Sequence, residues 1–424
     1  MAEETLNERL FIAAKSGDEA ALLFTIEQGA STTANTKVGG ESLLYVAAAN
    51  GQSNIVDVCL RAGVPVDHRG PNERTALHGA ALNGHVMVVC ELLSHGADIN
   101  ARTALKETPL HGAAVMGQEQ VAKHLLDSGA DSTLKDNNGA TPLYVAVERS
   151  HEAIVKLLIE RGAKTTSKNI FGQSTLLNAA WNTRPNINIV RMLLDSGVSV
   201  SEADQVGMTP LHGAASMGNN SIVRLLLDKG AIANAKNEIG ETPIHRAAEY
   251  GHCIVISLLL EHGADVSAVT SEWETPLYRA AMTGKDKAIL LLLDAGAKIG
   301  ATAVSKETAL HVAASNGRES TIKLLIEHGA SLENVDSTGQ TALHAVCKTD
   351  FSECVQALLD AGANITAQDE QGLTPLHLAA TYGDAEVIRL LINSGADVKV
   401  RDSKGKIPQE LVPPENEDSL VEFR

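Results

Sequence analysis

Apolar and polar residues alternate in blocks along this chain, and the blocks recur. One block starts with Thr-Pro-Leu-His at Thr209, continues through Ala-Ala and reaches a glycine at Gly218. Thr is a favoured N-cap, Pro is favoured at the first helical position, and Gly tolerates the left-handed conformation of a helix end. A second apolar segment, SIVRLLLDKGA (residues 221–231), follows before a polar stretch. The pattern therefore predicts two short helices and a turn in each block.

The second segment is apolar on nearly all sides, which predicts a helix packed between two neighbours. No block can bury both of its helices alone, so stability has to come from interfaces between adjacent blocks. Relatives of the tetrapeptide start at residues 42, 75, 108, 141, 174, 209, 242, 275, 308, 341, 374 and, in decayed form, 407. The spacing is 33 residues except for 35 between the copies at 174 and 209, and ERLF at residue 8 looks like a degraded first copy.

This pattern of TPLHxAA, Gly and LLxxGA resembles the ankyrin repeat over roughly residues 8 to 412. The resemblance implies an all-α solenoid of stacked antiparallel helix pairs with projecting β-hairpin fingers. It also implies a concave groove lined by the finger tips and the first helix of each repeat. We predict a degenerate N-terminal repeat in residues 1–41, eleven repeats in residues 42–406, and a partial repeat with an acidic tail in residues 407–424.

One repeat departs from the pattern at AAWNTRPNINIV (residues 179–190), which has no glycine and is two residues longer than its counterparts. Asn182 and Pro185 suit a loop, so we interpret the insertion as loop variation between two helices. Contact of this loop with a partner is the alternative. Ser150 and Asp350 replace the helix-ending glycine in two further repeats, which predicts less stable joints there.

Composition and charge narrow the class of function. The chain is 44% hydrophobic but only 3% aromatic, which favours many small interfaces over one large core. A net charge of −17 disfavours binding of nucleic acid and favours basic protein segments. The absence of an 18-residue apolar run predicts no membrane insertion. Five dispersed cysteines and an acidic start without an apolar stretch predict a cytoplasmic or nuclear protein with reduced thiols.

Histidines recur at the last position of the tetrapeptide, one per repeat. They cannot share a zinc ion, because ligands must lie about 2 Å from the metal and repeats are spaced about 10 Å apart. The ankyrin resemblance implies hydrogen bonds within and between repeats, and Tyr45, Tyr144 and Tyr278 replace His in three of them. The histidines are His78, His111, His212, His245, His311, His344 and His377.

No nucleophile, metalloprotease or phosphate-binding motif is present, so we predict no enzymatic activity, no metal and no cofactor.

The sequence ADIN, ending at Asn100, resembles the finger sequence that asparaginyl hydroxylases modify in other ankyrin repeats. Leu92 and Asp98 stand where such sites favour them. Asn100 is therefore a candidate hydroxylation site. The alternative is that asparagine simply suits a turn at this position.

Large side chains concentrate in the groove register between residues 170 and 282, which includes both tryptophans of the chain. Aromatic residues are enriched in binding hot spots, and exposed apolar patches mark interaction surfaces. The alternative is that the aromatic residues shield neighbouring helices and the arginines form local salt bridges. The candidate binding residues are Phe171, Trp181, Met217, Arg246, Tyr250, Trp273, Arg279 and Met282.

These observations favour a monomeric, non-enzymatic scaffold or adaptor that binds a protein segment with basic and apolar residues in its groove. A substrate-recruiting or regulatory subunit of a ubiquitin ligase or phosphatase is an alternative. A secreted effector that acts on host proteins is another. The fold alone does not choose among them.

Overall fold

The computed structural model describes residues 2–33, 35–36, 40–382, 385–414 and 421–423. Gly383, which shares the helix-ending register of Gly218, and residues 415–420 and 424 of the predicted tail lie outside this described part. Within it, 24 α-helices are present, together with short 3-10 segments that include Pro71–Glu73 and Pro408–Leu411, and no strand occurs. No helix among these residues is both long and apolar enough to span a bilayer. The expectation of an all-α fold is confirmed.

The chain divides into two units, residues 1–205 and residues 206–424. In the first unit, first and second helices of the repeats alternate along the chain, and equivalent helices of successive repeats pack together. Its helices are α1 (Ala2–Ser16), α2 (Glu19–Glu27), α3 (Leu43–Ala49), α4 (Ser53–Arg61), α5 (Ala76–Asn83), α6 (Val86–Ser94), α7 (Pro109–Met116), α8 (Glu119–Asp127), α9 (Pro142–Glu148), α10 (Glu152–Glu160), α11 (Thr175–Ala180) and α12 (Ile187–Asp195).

The second unit has the same alternation. Its core has two parts: the first helices of successive repeats, which pack against one another, and the buried Leu, Ile and Val side chains of the second helices. Its helices are α13 (Pro210–Ser216), α14 (Asn220–Asp228), α15 (Pro243–Tyr250), α16 (Cys253–Glu261), α17 (Pro276–Thr283), α18 (Asp286–Asp294), α19 (Ala309–Ser315), α20 (Glu319–Glu327), α21 (Ala342–Val346), α22 (Ser352–Asp360), α23 (Pro375–Tyr382) and α24 (Ala385–Asn393). The predicted boundaries at residues 41 and 406 remain a prediction.

In seven repeats, the tetrapeptide histidine lies in the first turn of the first helix and joins that helix to the next repeat. In α15, Nδ1 of His245 accepts a hydrogen bond from the backbone N–H of Thr242 at 3.1 Å, so the ring proton lies on Nε2. That Nε2 donates to the carbonyl oxygen of Glu274 at 3.0 Å, 29 residues further along the chain. The other six histidines repeat this pair of bonds within their own units, which confirms the structural role implied by the resemblance. At Tyr144 and Tyr278 the hydroxyl instead donates to a side chain of the next finger.

Glycine ends these helices because the backbone there is left-handed and the next repeat covers it closely. Gly218 has φ +68°, and a methyl group added there would lie 2.5 Å from Nδ1 of His252. His252 stands at the N-cap of α16, and its Nε2 donates to the carbonyl oxygen of Ser216 at 3.0 Å. The same register places Gln52, His85 and His151 over glycines of the first unit. A side chain at the left-handed position therefore obstructs the contact between repeats.

The fingers are tight turns rather than extended hairpin strands. Three isolated bridges, such as Lys168 with Ser174, are the only strand-like pairings in the described residues. Each finger closes on itself by backbone bonds and gives one further backbone bond to its neighbour, as from Ser271 to Ile239 at 2.8 Å. Because a finger has so few ladder bonds, the predicted β-hairpins are reduced to turns.

Candidate protein-binding surface

The eight candidate residues fall in both units. Phe171 and Trp181 belong to the first unit, and the other six belong to the second. Phe171 occupies a finger tip and is 60% exposed, next to the exposed Ile170. Its backbone N–H donates to Oδ1 of Asn169 at 3.0 Å, and its carbonyl oxygen accepts from the N–H of Gln205 at 3.3 Å. The finger backbone is thus held in place while the ring remains available.

Trp181 is half-buried at the C-terminal end of α11, where the insertion begins. The insertion lies between α11 and α12, as predicted, so it lengthens a connection without adding an element. Nδ2 of Asn182 donates to the carbonyl oxygens of Val147 and Glu148 at 3.2 and 2.8 Å. The insertion loop is therefore anchored to the preceding repeat.

The insertion and the missing glycine at Ser150 are parts of one arrangement. Ser150 is left-handed with φ +59°, and its Oγ donates to the carbonyl oxygen of Arg184 at 2.8 Å. Nδ2 of Asn182 also reaches Oγ of Ser150 at 3.2 Å. Elsewhere a side chain lies directly over a glycine at this place, and Ser150 leaves no room for that. The longer loop passes around the serine and hydrogen-bonds to it.

Arg246 and Arg279 lie in the second unit and are neutralised by local carboxylates. Oε1 of the buried Glu241 lies 3.8 Å from Nη1 of Arg246 and 3.2 Å from Nη2 of Arg279, so one carboxylate bridges both arginines. Glu249 pairs with Arg246 at 3.2 Å, and Glu274 pairs with Arg279 at 2.6 Å. Each arginine side chain is only 17% exposed. The arginines thus connect adjacent repeats, in agreement with the local salt bridges weighed as the alternative.

Tyr250 extends from this ion-pair cluster to the surface. Its ring lies 5.3 Å from the guanidinium carbon of Arg246 and stacks on the His252 ring, with 6.1 Å between centroids. Half of the tyrosine side chain remains accessible, since its exposed fraction is 47%. Met217 follows α13 and Met282 lies within α17, and both are half-buried. Tyr250 is therefore the most accessible of the candidate residues on the helices of this unit.

Trp273 has an unusual backbone for its size. It is left-handed with φ +61°, a conformation that is costly for a bulky residue; the equivalent residue is Gly240 in the preceding finger and Lys306, with φ +60°, in the following one. Its side chain is 61% exposed and lines a cavity of about 270 Å³ together with Val269 and Lys298. In the preceding repeat, Lys236 occupies the register of Val269 and donates its Nζ to the carbonyl oxygen of Val269 at 3.4 Å. The side chain of Val269 has no hydrogen-bond donor and makes no equivalent bond to the following repeat, so the space beside Trp273 stays open as a cavity.

Four consecutive fingers of the second unit expose apolar side chains, which we name the finger ridge: Val206, Ile239, Trp273 and Val304. Their exposed fractions are between 50% and 61%. Backbone bonds connect these fingers one to the next, as from Val304 N–H to the Glu272 carbonyl oxygen at 2.8 Å. Sequence reasoning did not single out Val304, although it lies in the same finger register as Ile170 and precedes a tetrapeptide by the same interval.

Among the described residues, no group of three or more His, Cys, Asp or Glu side chains is placed to hold a metal ion. Burial lowers the pKa of His78 and of His245 to about 4, so both rings are neutral and committed to their hydrogen bonds. All five cysteines are free thiols, and burial raises the pKa of Cys59 to about 12.

Asn100 is half-buried in the turn that leads into its finger. Its Oδ1 accepts a hydrogen bond from the backbone N–H of Asp131 at 2.9 Å. Asn234 makes the equivalent bond to Asp265 at 2.8 Å and also donates to the carbonyl oxygen of Gly263. The amide oxygen of Asn100 therefore stabilises the contact between two successive turns, and hydroxylation of Asn100 stays a prediction.

A family model for ankyrin repeats (3 copies) matches residues 10–103, 100–169, 176–270, 231–303, 267–336 and 310–402. The chain belongs to the ankyrin repeat family. Ankyrin repeats are generally protein–protein interaction modules, and the family is generally non-enzymatic. The recognition made from the tetrapeptide pattern is therefore confirmed.

Two solved ankyrin repeat domains are similar to part of this chain. The human ASB11 domain is 28% identical with a TM-score of 0.48, and the match covers 53% of this chain and 99% of that one. The domain of Bcl-3, described as a unique member of the IkappaB protein family, is 29% identical with a TM-score of 0.45. That match covers 52% of this chain and 100% of the other. No curated protein sequence matches the chain.

Proposed function

We propose that this ankyrin repeat protein is a non-enzymatic adaptor that binds an extended protein segment along the finger ridge, with Tyr250 contributing from the adjoining first helix. The observation that carries the proposal is the run of exposed apolar side chains on consecutive fingers of one unit. Contiguous apolar surface of this kind marks interaction sites in soluble proteins. Trp273 is the expected anchor, because a large aromatic side chain beside a cavity is typical of a binding hot spot.

The strain at Trp273 supports a binding role. A left-handed backbone at a bulky residue costs free energy, and such strain concentrates at functional sites. Glycine would remove that cost here, as Gly240 does one finger earlier. A tryptophan that is strained and also largely exposed gives little stability to the free protein in return. Contact with a partner supplies a reason for it.

Charge favours basic residues in the bound segment. The positive charges of Arg246 and Arg279 are compensated within the ion-pair cluster. Glu238 and Glu272 are exposed beside the ridge, and their carboxylates make no ion pair with the described residues. With a net charge of −17 for the whole chain, the local and overall fields favour lysine or arginine in the partner. We further propose that the protein acts as a monomer in the cytoplasm or nucleus.

The test is selection of a random peptide library on the purified full chain, followed by affinity measurement of the enriched peptides. We expect enriched peptides to combine aromatic or aliphatic residues with Lys or Arg. Trp273→Ala should weaken their binding more than about tenfold, the effect of removing a hot-spot aromatic. Ile239→Ser should weaken it several-fold by the loss of apolar contact.

Ile254→Ser is the matched control, because Ile254 is 61% exposed in the same unit but lies on a second helix, away from the fingers. Its affinity should equal that of the unchanged chain. Circular dichroism of each variant establishes that it is folded. Enrichment of acidic peptides, or equal losses for Ile254→Ser and Ile239→Ser, would contradict the proposal.

A further inference from the structure

The insertion loop of the first unit borders a second cavity, of about 400 Å³, which the proposed function does not use. We call it the insertion pocket; its lining includes Trp181, Asn178, Asn182, Arg149, Arg184 and Glu148. The loop that forms one wall is fixed by the bonds of Asn182 and Ser150 to the preceding repeat. The pocket is therefore built before any ligand arrives.

The charges of this pocket differ from those of the ion-pair cluster in the second unit. The guanidinium groups of Arg149 and Arg184 make no ion pair or hydrogen bond with the described residues, and both side chains are exposed. Arg246 and Arg279, in contrast, are compensated by three carboxylates. Glu148 is the one acidic residue lining the insertion pocket, so its lining carries a net positive charge within an acidic protein.

Two uncompensated guanidinium groups beside an indole ring suit a carboxylate. Arginine binds carboxylates through charge-assisted hydrogen bonds. The amide nitrogens of Asn178 and Asn182 already donate to carbonyl oxygens of the preceding repeat, so these side chains fix the wall of the cavity. The indole of Trp181 offers a face on which the carbon chain of an acidic residue packs. We propose that the insertion pocket binds a carboxylate-bearing side chain of an acidic protein segment, held by Arg149 and Arg184 against Trp181.

The site is separate from the finger ridge in position and in charge preference. The ridge belongs to the second unit and favours basic residues, whereas the insertion pocket favours acidic ones. The two proposals therefore fail or succeed independently. Neither site requires the other.

Trp181 provides the readout. Trp273→Phe leaves Trp181 as the only tryptophan, because the chain has two. In this background, tryptophan emission is recorded during titration with an acetylated, amidated hexaglutamate peptide. Hexalysine of the same form and inorganic phosphate serve as comparison ligands. We expect a saturable change with hexaglutamate that weakens as salt is added, and a much weaker response to the other two.

Variants of the lining sharpen the test. Arg149→Gln and Arg184→Gln should each weaken hexaglutamate binding about tenfold, the effect of one charge-assisted hydrogen bond. Glu148→Gln should strengthen binding several-fold, because it removes the carboxylate that repels the ligand. Arg191→Gln is the control: it removes one positive charge from the exposed surface of α12 without lining the pocket. Its affinity should remain within about twofold, as expected for a screened surface charge.

Calorimetric titration of the unchanged chain and of the same lining variants gives the affinities without tryptophan fluorescence, in case Trp273→Phe impairs folding. The proposal is overturned if hexaglutamate produces no saturable signal by either method. It is also overturned if phosphate binds as tightly as hexaglutamate, or if Arg191→Gln weakens binding as much as Arg184→Gln. Binding by hexaglutamate that Glu148→Gln weakens rather than strengthens would likewise contradict it.

Discussion

The contact between successive repeats can be tested by adding one methyl group at different left-handed glycines of the second unit. Gly218, Gly251 and Gly230 have φ values of +68°, +76° and +87°. Alanine in the left-handed conformation costs roughly 1–2 kcal/mol at each site. Gly230→Ala isolates that cost, because nothing lies within 4 Å of the added carbon. The other two substitutions add a collision with the following repeat.

The collision differs between the two sites. At Gly218 the methyl group would lie 2.5 Å from the ring of His252, which donates to Ser216 and stacks on Tyr250. Displacing that ring would leave a carbonyl oxygen without its partner, at a further cost of about 1–3 kcal/mol. At Gly251 the nearest atom is Cδ of Lys285 at 2.9 Å, in a flexible side chain that can move aside. We expect destabilisation to rise from Gly230→Ala through Gly251→Ala to Gly218→Ala.

The assay is urea-induced unfolding, combined with hydrogen exchange to locate the loosened repeats. Gly218→Ala should reduce the free energy of unfolding by about 2–5 kcal/mol in total, about twice the effect of Gly230→Ala. Exchange should increase in α13, which precedes Gly218, and in α15, which precedes the displaced His252. Equal destabilisation by all three substitutions would refute the reasoning, because it would mean that the covering side chain contributes nothing to the repeat interface.

Three further predictions concern the buried histidine His245, the buried carboxylate of Glu241 and the left-handed backbone of Trp273. Burial holds the pKa of His245 at about 4 in the folded state, against 6.5 for a free imidazole, so its contribution to stability is present above about pH 6.5 and is lost as pH falls towards 4. At pH 5, a series of thermal unfolding measurements should show about 2 kcal/mol less stability from this one histidine. A stability that stays constant between pH 7 and pH 5 would contradict this prediction. Glu241→Gln should destabilise the second unit by about 3 kcal/mol in urea, because it removes the buried carboxylate shared by two arginines, while exposed Glu238→Gln should change stability by less than about 0.5 kcal/mol. Trp273→Gly should be about 1 kcal/mol more stable than Trp273→Ala, because only glycine relieves the left-handed strain, and the opposite order in thermal melts would argue against strain at this finger tip.

The repeat architecture was readable from the sequence because each structural requirement recurs at a fixed interval. The Thr-Pro start, the histidine and the helix-ending glycine each satisfy a local need, and the structure places them as predicted. Thr242 and His245, for example, form a cap whose outer bond reaches the next repeat. A feature of this kind depends on short-range geometry, which sequence spacing specifies directly.

Features that depend on side chains from different repeats were harder to predict. Ser150 and the insertion were interpreted as separate irregularities, yet they hydrogen-bond to each other across 32 and 34 residues of sequence. The sequence did contain an indication, because Ser150 stands where other repeats have the left-handed, helix-ending glycine. A side chain at that position prevents a residue of the next repeat from packing over the backbone. At Ser150, which is left-handed, this departure is accompanied by the longer loop of the following repeat.

The candidate surface shows the same limit. Sequence placed Arg246 and Arg279 in the groove register, but only packing shows that Glu241 lies between both guanidinium groups. Spacing located Trp273 at a finger tip. The cavity beside it depends on Val269 and on Lys298, which belongs to the next repeat. Position in a repeat is therefore predictable, whereas charge compensation and cavities require the arrangement of several repeats.

The central claim, that the finger ridge contacts a protein partner, is tested most directly by site-specific photo-cross-linking in cells of the source organism. Benzoylphenylalanine would replace Ile239 on the ridge in one sample and Ile254 on α16 in the other. The account predicts a discrete cross-linked protein from position 239, its loss when Trp273→Ala is added, and no such product from position 254. A product that forms equally from both positions, or one that persists with Trp273→Ala, would contradict binding at the finger ridge.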